Sequence, residues 1–99
     1  MMNIIKKQSS DRLTIALEGR LDISTAPDLE QVVISSLDGV TELVFDLEKL
    51  IYIASAGLRV LLLAQKKMNK QGSMKVIHAN EMVMEVFENM GFADIITIE

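Results

Sequence analysis

The run Leu43-Val44-Phe45-Asp46-Leu47 constrains this chain most. It is short, almost continuously apolar and follows an Asp38-Gly39 turn, the pattern of a strand covered on both faces at the centre of a sheet. Such a strand needs partners along both edges and helices over its faces, so the flanking sequence must supply both. Ahead of it, Leu13-Thr14-Ile15-Ala16-Leu17-Glu18 alternates with period two. Asn3 to Lys7, set off by Ser9-Ser10-Asp11, predicts its antiparallel partner in a hairpin. Ala26, Leu29, Val32, Val33 and Leu37 recur at helical spacing, which predicts a helix from about 25 to 37. Thr25 stands three residues before Asp28 as a capping-box-like pair, with Pro27 in the first turn.

Beyond the central run, residues 56 to 70 are rich in Leu, Ala, Lys and Gln and predict a second helix. Gly72 is expected to stop it, and Lys66, Lys67 and Lys70 complement the negative end of its dipole. Met74 to Ile77 reads as a strand. Met82, Val83, Val86, Phe87 and Met90 mark a third helix ended by Gly91, and Ile95 to Ile98 forms a closing strand. The order ββαβαβαβ predicts an α/β fold: a mixed sheet with helices packed on it and right-handed crossovers between the later strands.

At 99 residues and 49% hydrophobic content, the chain has enough apolar material for one core. No repeat or linker divides it, so residues 1–99 are expected to be a single domain. The absence of cysteine and the single histidine exclude a disulfide scaffold, a Cys or multi-His zinc site and a Cys nucleophile, and they fit a reducing, cytoplasmic setting. Ten Lys and Arg against fourteen Asp and Glu give a net charge of −4, which repels nucleic acid. The start of the chain has no apolar stretch of a signal peptide, and the longest apolar run, Val60 to Ala64, is far short of a membrane span. A soluble protein with no membrane insertion is expected.

The chemistry-bearing segment is Ile51-Tyr52-Ile53-Ala54-Ser55-Ala56-Gly57-Leu58-Arg59, a strand-to-helix junction of small residues. Ser55 falls at or just before the first helical position, where its hydroxyl can cap free N–H groups and where the positive helix end favours an anion. Ala54, Ala56 and Gly57 leave that hydroxyl uncovered. An ordinary serine cap fits the same residues. Ser55, Arg59, Leu62, Lys66 and Lys70 share one face of the predicted helix, while Leu58, Leu61, Ala64 and Met68 serve the core. Leu62 reads either as an apolar anchor rimmed by cations or as the margin of a wide core stripe. The first reading makes the start of this helix a partner-facing surface.

The segment Ile53-Ala54-Ser55-Ala56-Gly57-Leu58-Arg59-Val60-Leu61 resembles the signature of the STAS domain in its bacterial anti-sigma factor antagonist branch. Gly19-Arg20-Leu21-Asp22 before Thr25-Ala26 resembles that family's Gly-x-Leu-Asp turn, and Leu43 to Leu47 its central strand. Lys75-Val76-Ile77, Val86-Phe87 and Met90-Gly91-Phe92 resemble its last strand, helix and glycine. The resemblance implies a non-enzymatic, partner-switching binding protein with no cofactor of its own. On this resemblance the unmodified domain is expected to sequester an anti-sigma factor that is an ATP-dependent serine kinase. The resemblance further implies that phosphorylation of the serine two residues before the glycine, here Ser55, would release it and that a metal-dependent phosphatase would reset the pair. Partner contacts are expected from Asp22, Ala54, Ala56, Gly57, Arg59, Leu62 and Lys66. The family's frequent Asp before the serine is Ala54 here, and the frequent Ser or Thr after it is Ala56, which leaves no competing hydroxyl. Ala54 keeps open an alternative: a constitutive, unphosphorylated STAS subunit of a lipid transporter or signalling scaffold.

Rival chemistries fit less well. Ser55-Ala56-Gly57 supplies half of a Gly-x-Ser-x-Gly nucleophile elbow, but Ile53 replaces the first glycine, and a triad with His78 and Asp94 runs in the wrong chain order. Asp46 is expected to be a solvated or turn-binding residue. Met82, Met84 and Met90 read as core filler, with Met84 the one candidate for a surface contact. No Gly-x-x-x-x-Gly-Lys element is present to bind a nucleotide.

Overall fold

The computed structural model describes residues 2–99. The elements are β1 (Met2–Ser9), β2 (Arg12–Leu21), α1 (Ala26–Ser36), β3 (Glu42–Ile53), α2 (Ser55–Met68), β4 (Ser73–Ile77), α3 (Glu81–Asn89), a 3-10 turn (Phe92–Asp94) and β5 (Thr97–Ile98). The strands lie in the sheet in chain order. β1 runs antiparallel to β2, and each later pair is parallel. This is the expected mixed sheet and the expected ββαβαβαβ order. Right-handed crossovers that all step the same way put their helices on one face. Accordingly one buried cluster joins Leu13, Ile15 and Leu17 of β2 to Leu29 and Val33 of α1, Leu61 and Met68 of α2, and Val83 and Phe87 of α3.

β3 is the central strand, but only one of its faces carries helices, which corrects the expectation of cover on both. Phe45 and Leu47 turn to the helical layer. Val44, on the other face, is 1% exposed and is flanked in register by Thr14 and Lys75. Neighbours within the sheet bury it, and a one-dimensional pattern cannot distinguish that from a second layer. The strand is also longer than expected. Its pairing with β2 passes from Ala16↔Asp46 to Glu18↔Lys49 and from Gly19↔Leu50 to Arg20↔Tyr52. Each step absorbs one extra β3 residue as a bulge, so the strand continues to Ile53.

Three local expectations are corrected. Thr25 is the N-cap of α1, but its backbone is helical (φ −104°, ψ −20°), so the side chain does not cap the helix. Its Oγ1 donates instead to the Arg20 carbonyl at 2.9 Å and accepts the Asp22 N–H at 2.9 Å. Gly72 does not itself end α2, which stops at Met68 with Asn69 as its C-cap. A Cβ at Gly72 would drive into the Thr41 backbone, whose carbonyl accepts the Ser73 N–H at 2.9 Å. On α3 the methionine assignment is inverted: Met82 and Met90 are each 54% exposed, while Met84 packs on the core. Val83 and Phe87 set the buried meridian, and Met84 lies about 60° from Phe87 whereas Met82 lies about 100° from Val83 on the opposite side.

Candidate functional site

The carboxyl ends of parallel β2 and β3 meet at the pair Leu21↔Ile53. Just past it, the Ala54 N–H donates to the Leu21 carbonyl at 2.9 Å, and α2 begins at Ser55. Ala54, with φ −108° and ψ 171°, is therefore the N-cap, and having no polar side chain it offers the helix no cap. Its carbonyl accepts the Gly57 and Leu58 N–H groups at 2.9 and 3.1 Å. Ser55 is the first helical residue and is exposed. Among the described residues its hydroxyl makes no hydrogen bond. It stands at the positive helix end, where a dianionic phosphate is electrostatically welcome.

The other residues named from the sequence separate into three groups. Arg59 and Lys66 are exposed, and Leu62 is half-buried outside the set of side chains packed on the core. These three fall with Ser55 along one side of α2; Lys70 lies beyond the helix end at Met68. Ala54 and Ala56 are half-buried, and Ala56 leans on the core. Gly57 is buried: a Cβ on it would strike Leu21 and Ile53, so it is a point of close helix-to-strand approach.

Asp22 begins the turn after β2, one residue beyond the Leu21↔Ile53 pair, and so stands at the same end of the sheet as Ser55. Its Oδ1 accepts the Ser24 hydroxyl at 2.7 Å and the N–H groups of Ser24 and Thr25 at 3.0 and 3.2 Å. The Ser24 hydroxyl above all, then the Ser24 N–H, hold the Asp22 carboxyl below its ordinary range against desolvation, with lesser help from Thr25. The carboxylate thus organises the turn that presents Ile23, which is 81% exposed.

Ile23 has no part in the sequence expectations, and Arg20, Ile51 and Tyr52 stand there within quoted segments but without a role of their own. The Arg20 guanidinium lies 4.3 Å from the Tyr52 ring centroid and 3.9 Å from Asp22. An isoleucine inside a polar turn was a legible signal for Ile23. The Arg20–Tyr52 stack depends on a bulge and was not legible. Elsewhere, His78 Nδ1 lies 3.0 Å from Asp46 Oδ1, which also accepts the Glu48 N–H at 3.1 Å. Asp46, expected to be solvated or turn-binding, instead lies half-buried inside β3 at its first bulge, where its carboxylate accepts the Glu48 N–H.

The model of the STAS domain matches residues 3–99. This chain belongs to the STAS family. The STAS chain is 34% identical over 99 residues to a Bordetella bronchiseptica protein named as a candidate anti-sigma factor antagonist, BtrV, covering 98% of this chain and 85% of that one. It is 32% identical over 104 residues to the anti-sigma-B factor antagonist of Listeria monocytogenes, covering 99% and 90%. Among solved structures, an anti-sigma factor antagonist from Mycobacterium paratuberculosis superposes with a TM-score of 0.89 at 21% identity, over 99% of this chain and 85% of that one. SpoIIAA in its unphosphorylated form gives 0.84 at 17% identity, over 98% and 88%; its phosphorylated form gives 0.69 at 16%, over 98% and 91%. At those identities the structural likenesses speak for the STAS fold alone.

Proposed function

We propose that this STAS domain is an anti-sigma factor antagonist: it binds an anti-sigma factor through the tip formed by Ser55, Ala54, Ala56, Arg59, Leu62, Lys66 and the Asp22 turn. In this reading the anti-sigma factor is an ATP-dependent serine kinase that modifies Ser55 and thereby frees itself, and a metal-dependent phosphatase restores the binding form. The role is recognition rather than catalysis, in a cytoplasmic setting. The names of the sequence relatives support the class of partner. The observation that carries the switch is the exposed, unbonded Ser55 hydroxyl at the first position of a helix without a side-chain cap.

The physical logic runs from charge to binding. A phosphate adds about −1.5 to −2 charge at neutral pH. In the free protein the helix N-terminus and Arg59, one turn on, can receive it. In the complex the same group has to be desolvated beneath the partner, so the bound state alone is penalised. Reversing occupancy from 99:1 to 1:99 takes about 5.5 kcal/mol, which a buried charge can supply and a lost surface hydrogen bond of about 1 kcal/mol cannot.

The test is a set of Ser55 variants against the cognate kinase. Ser55→Asp is expected to keep its fold and lose affinity by about a hundredfold or more, and Ser55→Ala to bind normally while incorporating no phosphate. Equal affinity of the Asp variant would refute the switch. Absence of phosphate on wild-type Ser55 would assign the chain to the constitutive STAS reading.

A further inference from the structure

No Lys or Arg follows Lys75. Residues 76–99 contain Glu81, Glu85, Glu88, Asp94 and Glu99, a formal charge of −5 against −4 for the whole chain. Glu99 is paired with Lys75 at 3.4 Å. The other four carboxylates are exposed, and among the described residues none of them is in an ion pair. On α3, Glu81 and Glu85 are four apart and Glu85 and Glu88 three apart, so the three form one stripe about 60° wide whose like charges oppose the free helix.

An apolar row lies beside that stripe. Met82, Val86 and Met90 recur every four residues; Val86 leans on the core, while the two methionines are each more than half exposed. Past Gly91 the apolar surface continues through half-buried Phe92, stacked on Phe87 at 6.5 Å between centroids, and exposed Ile95. Exposed large apolar side chains grouped with unneutralised charge of one sign mark an interaction surface rather than ordinary solvated helix. Methionine packs against varied shapes, and carboxylates in a row select a cationic rim while repelling nucleic acid and anionic membranes.

We infer that α3 and the turn after it form a second docking surface, distinct from the Ser55 tip, for an amphipathic helical segment of a partner protein with large apolar anchors at four-residue spacing and Lys or Arg beside them. The anchors seat on Met82, Met90 and Ile95, and the cations meet Glu81, Glu85, Glu88 and Asp94, which are in no ion pair among the described residues. This is recognition of a helix by an apolar row with charge setting its orientation. It does not rest on the function proposed for Ser55.

The probe is a synthetic helical peptide with Leu every fourth residue and Lys on both flanks, alongside a shuffled peptide of the same composition. Each is titrated into the isotope-labelled full chain and followed by NMR. Saturable shifts confined to residues 81–95 are expected, with the shuffled peptide weaker by about tenfold or more. Glu85→Lys with Glu88→Lys is expected to weaken the ordered peptide by about tenfold, and so is Met82→Ser; Ser55→Asp leaves it unchanged. The charge reversals suit a helix, since they place cations near Glu81 and in the last turn, so loss of folding does not confound them. Equal binding of the shuffled peptide, shifts centred on another surface, or concentration-dependent association of the chain alone through residues 81–95 would each overturn the inference, the last by assigning the surface to a second copy.

Discussion

Gly57 occupies a place where a Cβ would collide with Leu21 and Ile53, so the first turn of α2 approaches the ends of β2 and β3 as closely as only glycine permits. Gly57→Ala is therefore expected to destabilise the fold by about 1–3 kcal/mol through overpacking, despite the better helix propensity of alanine. Denaturant unfolding measures this, and unchanged stability would remove the close-approach account. Asp22 acts through its turn. Its folded pKa lies below the ordinary value of about 3.9, so what it adds to stability is complete above that value and drains away as pH falls through the lowered folded pKa. Asp22→Asn is expected to flatten the acid limb of a stability–pH profile; superimposable limbs would show that the turn contributes nothing. Both positions were visible in the sequence as a small residue and a turn acid. Ser24, two residues from Asp22, is a local partner, but the contact of Gly57 with Leu21 was not visible, because it depends on how the chain closes on itself.

At the scale of elements, periodicity located the strands and helices it had long patterns for, and erred where neighbours decide the ends. α2 was expected to run on to about residue 70 and ends at Met68, with Asn69 as its C-cap, while its start at Ser55 falls where the sequence placed it. β3 was expected to stop at Leu47 and runs to Ile53, because two bulges carry its pairing past Glu48 and Lys49. The closing strand shrank to Thr97–Ile98 after Gly91, in the left-handed region at φ 75°, turned the chain into a 3-10 segment. α3 supports a further expectation. Its acidic stripe repels itself, so Glu85→Lys with Glu88→Lys should raise stability by about 0.3–1 kcal/mol in thermal unfolding at low salt, with the gain shrinking as salt rises. A loss of stability would mean that these carboxylates have partners within the fold.

Across the whole molecule, the helices share one face of the sheet and the charges divide unevenly: residues 76–99 carry −5, which leaves residues 1–75 at +1. The cations Arg59 and Lys66 line α2, while Glu81, Glu85, Glu88 and Asp94 stand exposed on α3 and the turn beyond it with no cation among them. One small domain can thus present two chemically opposite surfaces. The sequence by itself determined the α/β class, the element order, the STAS resemblance and the placing of Ser55 at a helix start, because apolar periodicity and short motifs are local properties of the chain. Only the tertiary structure decided that Val44 is buried by strands rather than by helices, that Gly57 is a packing contact, and that Met82 and Met90 face outward while Met84 does not. Each of these depends on which side of an element its neighbours occupy, and that is set by long-range burial rather than by any pattern along the chain.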